Sequence, residues 1–257
     1  RRGRRALIRV VSLALLLGLW QLGAWASDPR RLPGPALVFE TMLNEARSGA
    51  LFSNMAITLA RVVAAFALAM SLGAAIGYLM GRNKFADKLL DPWLVALLNL
   101  PALVVIVLAY VWAGLTEVAA IGAVALNKLP NAVVVVREGA RALDPQLEEM
   151  AQAFRLPALT RARHVVLPQL APYLAAATRS GLSLVWKIVL IVELLGRSNG
   201  VGFEINMAFQ LFDMRLLLAY ALPFVALMIG VETFLVQPLE HSATRWRRGV
   251  AGRRYRG

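Results

Sequence analysis

Residues 56–80 read AITLARVVAAFALAMSLGAAIGYLM. This stretch carries one charge, Arg61, and no proline. As an α-helix it rises about 37 Å at 1.5 Å per residue, enough to cross the roughly 30 Å hydrocarbon core of a bilayer. Gly73 and Gly77 in the stretch, and Gly81 just beyond it, recur every fourth residue. That spacing puts all three on one helix face, where small residues let backbones approach closely. The three read as a helix-packing or dimer contact. Arg61, near one end, reads as a snorkelling anchor.

Working outward, five more apolar segments lie near 6–26, 89–113, 117–136, 172–195 and 215–239. The last three are interrupted by Lys128, by Arg179, Lys187 and Glu193, and by Glu232. The composition agrees with six spans. Of 257 residues 59% are hydrophobic and only 17% charged, against about 25% charged in ordinary soluble domains. Disorder is excluded, because it needs low hydrophobicity. Yet the net charge is +13. A bilayer protein reconciles these numbers through apolar spans and basic loops on the cytoplasmic side.

The basic residues sort accordingly. With a cytoplasmic N-terminus, the inside segments hold Arg1, Arg2, Arg4, Arg5, Arg9, Arg82, Lys84, Lys88, Arg137, Arg141, Arg155, Arg161, Arg163, Arg245, Arg247, Arg248, Arg253, Arg254 and Arg256. The outside holds Arg30, Arg31, Arg47, Arg197 and Arg215. Nineteen of 28 on one side against five on the other is the positive-inside pattern, with both termini cytoplasmic. It makes nucleic-acid binding an unneeded hypothesis. The expectation is one all-α transmembrane domain over 1–257 with six helices and a long cytoplasmic loop at 137–171.

The first span opens like a signal peptide, with basic residues and an Ala24-Trp25-Ala26 site. Its apolar run is about 20 residues, longer than a signal core, and removal would put the two basic ends on opposite sides. It is read as retained. The connector 27–55 has Pro29, Pro33, Gly34 and Pro35, then Ala36 to Leu43 with apolar residues at helical spacing. That reads as a short surface helix with Pro35 in its first turn.

Catalytic signatures are missing. The chain has no cysteine, no Gly-x-x-x-x-Gly-Lys loop, no His-Glu-x-x-His and no Gly-x-Ser-x-Gly. His164 and His241 read as solvated loop residues. The 137–171 loop is the informative stretch. Asp144 is a good N-cap, Pro145 a good first helical residue, and Glu148 and Glu149 suit the positive end of the helix dipole. Leu147, Met150, Ala151 and Phe154 make an i, i+3, i+4, i+7 stripe. Leu156-Pro157 breaks this helix, and a second runs from Leu159 to His164. Such a pair can lie on lipid, pack under its own bundle, or dock into a groove on another protein.

Glu149-Met150-Ala151-Gln152-Ala153-Phe154-Arg155, followed by Val165-Val166-Leu167-Pro168, resembles the coupling loop of ABC importer permeases. That pattern is Glu-Ala-Ala-x-x-x-Gly, nine residues, then Ile-x-Leu-Pro. Arg155 stands where the family has glycine, a residue that takes left-handed geometry readily where Arg does so at a cost. The neighbouring Pro157 leaves the form of this turn open. Thr58-Leu59-Ala60-Arg61-Val62, Leu90-Asp91-Pro92, Pro101-Ala102, Trp112-Ala113-Gly114, Trp186, Val192 to Leu195 and Ser198 to Phe203 are similar to the sulfonate, taurine and nitrate branch. The likeness covers about 30–248.

The resemblance implies the type I importer architecture in a bacterial inner membrane. It implies a second permease copy as a homodimer, two cytoplasmic ATPase subunits and an extracytoplasmic solute-binding protein. It implies no cofactor in this chain, with ATP and Mg2+ on the ATPase. The outer segments 27–55 and 196–214 would meet the binding protein. Asp144, Leu147, Glu149, Met150, Ala151, Ala153, Phe154, Arg155, Leu167 and Pro168 would couple to the ATPase. In the fifth span Lys187 reads as a candidate for the translocation path, or as the ion-pair partner of Glu232. Glu193, about 600° of helix rotation away, is a second path candidate that can instead hydrate at the outer end. Asn127 and Lys128 carry no role, and Pro130 marks a kink or an end. A stand-alone transporter or channel would make the 137–171 loop dispensable. An intramembrane enzyme would need a nucleophile–base pair or a metal cluster.

Overall fold

Residues 2–28, 30–236 and 238 are described by a computed structural model, and every regular element among them is a helix. In chain order they are α1 (Arg2–Ala26), α2 (Pro35–Ser48), α3 (Ala50–Arg82), α4 (Lys84–Asn99), α5 (Ala102–Ala113), α6 (Glu117–Arg141), α7 (Pro145–Ala153), α8 (Ala158–Arg161), α9 (Leu167–Gly196), α10 (Val201–Gln210) and α11 (Met214–Val231). Single π-helical turns follow α8 (Ala162–Val166) and α11 (Glu232–Val236). Arg1, His241 and the six basic residues from Arg245 to Arg256 lie outside the described residues.

Four helical stretches are long and apolar enough to cross a bilayer: Ala50–Arg82, Glu117–Arg141, Ala158–Gly196 and Met214–Phe234. The apolar part of α1 is the shorter Val11–Ala26. The third segment departs from a straight 89–113 span. α4 and α5 meet at a bend of 100°, and as a pair they count as one broken span at most. The cause is Pro101. A residue before proline is pushed out of the α region, and Leu100 has ψ 127°.

Of the two readings of Pro130, a kink or an end, the structure rules out the end. α6 runs 25 residues through it to Arg141. Nor does the second coupling helix stand apart. α8 continues through the π turn into α9, so Ala158–Gly196 is one helical stretch. The surface helix after Pro35 forms, and it extends to Ser48 with Gly34 as N-cap and Gly49 as a left-handed C-cap.

The chain divides into two units, residues 1–59 with 193–227, and 60–192 with 228–257. In the second unit α6 is the central element. The glycine face of α3 lies on it. A Cβ at Gly73 would sit 2.6 Å from Ala132 Cβ, one at Gly77 2.6 Å from the Val133 carbonyl, and one at Gly81 2.5 Å from Ala140 Cβ. That face is therefore filled by the chain's own α6. On α9, Gly139 of α6 abuts Tyr173, and a Cβ at Gly181 would collide with the buried Lys128 side chain. α4 is held to α6 by charge. Arg137 reaches Asp91 at 2.6 Å and Asp87 at 3.4 Å, and Arg141 reaches Asp87 at 2.6 Å. Arg61 does not snorkel. It is buried, and its guanidinium forks onto Glu117 at the start of α6, at 2.6 and 2.9 Å.

Candidate functional site: the 142–168 loop and the buried cluster around Glu193

Asp144 caps α7 by accepting from the Gln146 N–H at 2.9 Å, and Pro145 takes the first helical position. The Gln169 side chain accepts from the Asp144 N–H at 2.8 Å, tying the start of α7 to α9. Beneath the loop, Ala140, Leu143, Val166 and Leu170 form a buried cluster with Tyr78 and Leu174 against it. Glu148 braces the two loop helices through an ion pair with Arg161, and stands 4.0 Å from Arg82 at the end of α3. Glu149 is exposed, and no ion pair to another described residue holds it.

Only part of the apolar stripe packs inward. Ala151 is buried, while Leu147 and Met150 are about two-fifths exposed. Phe154 is 76% exposed and Leu159, on α8, 80% exposed. Ala153, Leu167 and Pro168 are also exposed, and the neighbouring Val165 and Val166 supply the packing instead. The loop thus holds a rigid base and presents an apolar tip.

The turn at Arg155 is built as glycine would build it. Arg155 has φ +49°. The Leu156 N–H donates to the Ala151 carbonyl at 2.9 Å, and the Arg155 N–H to the Gln152 carbonyl at 2.9 Å. These are the two bonds of a Schellman motif. Phe212 (φ +54°) ends α10 identically. Its N–H donates to Phe209 O, and Asp213 N–H to Ala208 O. Arg155 and Phe212 are the positive-φ non-glycine residues of the described chain.

A second constellation sits in the first unit and was not legible as a unit in sequence. The N-terminus of α10 leaves backbone N–H groups without intrahelical partners. Side chains from distant helices satisfy them. The Val201 N–H donates to Thr58 Oγ1 at 2.9 Å, and the Gly202 N–H to Glu193 Oε2 at 2.8 Å. Thr58 Oγ1 lies 3.0 Å from Glu193 Oε2, and Asn54 Oδ1 accepts from the Gly200 N–H at 2.8 Å. Gly200 has φ +103°, a region closed to other residues without strain. Glu193 is 0% exposed, so it does not hydrate at the outer end. Its negative charge sits where the helix dipole favours it. The Asn54 amide donates to Glu204 at 2.9 Å. Burial raises the Glu204 pKa from its ordinary value, the Asn54 bond opposes that, and nearby Glu45 adds to it.

Lys187 is exposed on α9, on the same face as Ser180, Ser183 and Ile191. The opposite face, Ala177, Val185, Ile188 and Val192, is buried. Glu232 is exposed too, and among the described residues no ion pair joins it to Lys187. Asn127 bonds back to the Ala123 carbonyl of its own helix at 2.9 Å. His164 is exposed beside Thr160 O at 3.2 Å. No group of three potential metal ligands occurs among the described residues.

Among the described residues the chain is all helical, with four helices long and apolar enough to cross a bilayer and a braced helix pair whose apolar tip is bare, the class of a multi-pass membrane protein. Residues 67–237 match the family described as "Binding-protein-dependent transport system inner membrane component", and the chain belongs to it. It is 30% identical over 241 residues, 93% of this chain and 87% of the other, to a protein described as an aliphatic sulfonates transport permease, SsuC, of Bacillus subtilis (strain 168). It is 24% identical to the taurine transport system permease protein TauC of Escherichia coli (strain K12), covering 95% and 90% of the two chains. It is 25% identical to the nitrate import permease protein NrtB of Synechococcus elongatus, covering 76% and 74%. The structure titled "Crystal structure of an amino acid ABC transporter with histidines" shares the fold at a TM-score of 0.61 and 18% identity. That likeness covers 78% of this chain and 98% of the other. The chain is therefore a multi-pass inner-membrane permease of an ABC import system.

Proposed function

We propose that this permease pairs with a second copy of itself and moves a small organic or inorganic anion of the sulfonate, taurine or nitrate kind. The anion is delivered by an extracytoplasmic binding protein. The relatives' names support the substrate class. Two cytoplasmic ATPase subunits, holding ATP and Mg2+, grip the 142–168 loop, and this chain itself carries out no hydrolysis. Both termini lie in the cytoplasm, on the side of the basic excess.

The single observation that carries the coupling role is the bare tip of a braced loop. Phe154 and Leu159 stand more than three-quarters exposed on helices fixed by Asp144, Gln169 and the Glu148–Arg161 ion pair. A loop that merely packed under its own bundle would turn these side chains inward. Aromatic side chains such as Phe154 are enriched in the cores of docking interfaces. When the ATPases close on ATP, the paired loops are drawn together, and α7 and α8 transmit that motion through α9.

Lys187 is proposed to line the path. A mid-span lysine is expensive in lipid and turns toward protein or water. Its exposed face, shared with Ser180 and Ser183, is left for the second copy and the water between the two.

The coupling test uses Phe154→Ser with Leu159→Ser in the assembled transporter. The ATPase should lose at least tenfold in affinity for the membrane subunit, and substrate-stimulated ATP hydrolysis should disappear while the spans still insert. Normal ATPase retention and normal transport would remove the loop from the coupling role and restore the stand-alone transporter.

A further inference from the structure

Five basic residues fall outside the positive-inside pattern, and three of them, Arg30, Arg31 and Arg215, line one cavity of about 680 Å3 in the first unit. They come from opposite ends of the sequence, and orientation in the membrane gives no reason for them. Leu37, Leu211, Phe212 and Met214 make the apolar wall, and Asp213 completes the lining. Asp213 is engaged locally. Its Oδ1 accepts from the Arg215 and Leu216 N–H groups at 3.1 and 3.2 Å, capping α11, and lies 3.4 Å from Arg215 Nε. Asp28 does the same for the other arginines. Its Oδ1 accepts from the Arg30 N–H at 2.9 Å, and its carbonyl accepts from the Arg31 N–H at 2.8 Å. The Schellman turn at Phe212 fixes the third side.

We infer that this cavity is a binding site for an oxyanion head joined to a short apolar body. Guanidinium forks match sulfonate, carboxylate and phosphate oxygens in a way that lysines do not. The volume falls in the range of small-molecule sites. Leu211 and Phe212, 68% and 78% exposed beside these cations, suit the apolar part. Two sources share this chemistry: a soluble organic sulfonate waiting at the outer mouth, and the phosphate of an anionic lipid. The soluble source rests on the orientation and substrate class proposed above.

The experiment reads ¹⁹F line broadening of trifluoromethanesulfonate by the full chain in nanodiscs of phosphatidylcholine. The wild type and Arg47→Gln, an outside arginine away from the cavity, should bind equally. Arg30→Gln with Arg215→Gln should bind roughly tenfold more weakly, the worth of about one charge-assisted hydrogen bond. Equal broadening by all three proteins, or none by the wild type, overturns the site. A second arm adds phosphatidylglycerol. Displacement of the probe assigns the site to lipid phosphate, and undisturbed binding assigns it to the soluble anion. Sulfonate uptake by the assembled importer is measured separately. Failure of uptake with intact probe binding rejects the substrate class and leaves the site standing.

Discussion

Arg155 shows how one residue can depart from a pattern and still obey its geometry. The left-handed conformation costs an L-residue about 1–2 kcal/mol relative to the right-handed one, and glycine escapes that cost. The two Schellman bonds hold Arg155 there regardless. Arg155→Gly should therefore stabilise the loop by up to about 1 kcal/mol, read as slower hydrogen exchange of the Arg155 and Leu156 amides. Faster exchange would mean that the arginine side chain itself supports the turn. Glu193 teaches the reverse lesson. Read alone, a carboxylate near a span end can hydrate or line a path. Its burial and its bond to the Gly202 N–H make it the cap of a helix that begins eight residues later, at Val201. Glu193→Gln keeps an acceptor, while Glu193→Leu leaves the Gly202 N–H orphaned, which should cost about 1–3 kcal/mol of stability. Thermal unfolding in detergent should rank the wild type and Glu193→Gln well above Glu193→Leu. Equal stability of all three would return Glu193 to the candidates for the path.

At the scale of elements, four of the expected apolar segments were legible as helices long enough to cross a bilayer, because hydrophobic length is a one-dimensional property. Two prolines show where local rules and the fold disagreed. Pro101 broke a segment that hydropathy alone joins, while Pro130, buried among its neighbours, did not end α6. Asp91-Pro92 was visible as a fragment of a pattern, but its purpose was not. Only the fold brings Asp91 to Arg137. In the same way Thr58 and the Gly200-Val201-Gly202 turn are more than 140 residues apart until α10 is capped. Contacts of that separation leave no trace in periodicity. The glycine stripe is intermediate. Spacing put the three residues on one face, and the structure supplied the neighbour. Gly77→Ala would push a methyl to 2.6 Å from the Val133 carbonyl, and backbone cannot move aside as a side-chain end can. The α3–α6 contact should loosen by about 1–3 kcal/mol, seen as a lower unfolding midpoint. Gly122→Ala, with open space around it, is the control and should raise the midpoint slightly, because alanine favours the helix by up to about 1 kcal/mol. A gain at both positions would mean that helix propensity decides and that the methyl at Gly77 meets no close packing.

For the whole molecule, the orientation proposed above divides the excess of basic charge into what would orient the chain and what is left to explain. On that orientation most of it lies on the cytoplasmic side, and Arg61, Arg137 and Arg141 are accounted for by ion pairs. Lys128 is buried across Gly181, and its place is one of packing. Of the four cations within the spans, Arg179 and Lys187 are left, and Lys187 is exposed on a face of α9 whose other side is fully packed. An isolated cation on such a face attracts an anion as it passes, with an effect amplified where water is scarce. It should matter for charged solutes and be indifferent to neutral ones. Lys187→Met in the assembled transporter should slow uptake of a sulfonate roughly tenfold, about the loss of one charge-assisted contact. ATPase docking and the unfolding midpoint should stay unchanged. Lys187→Arg should keep most of the rate, because the charge remains. If Lys187→Met transports at the wild-type rate with normal assembly, the path runs elsewhere and the lysine faces the second copy as a contact. If uptake falls only together with assembly, the same conclusion follows, and Ser180 and Ser183 would belong to that interface as well.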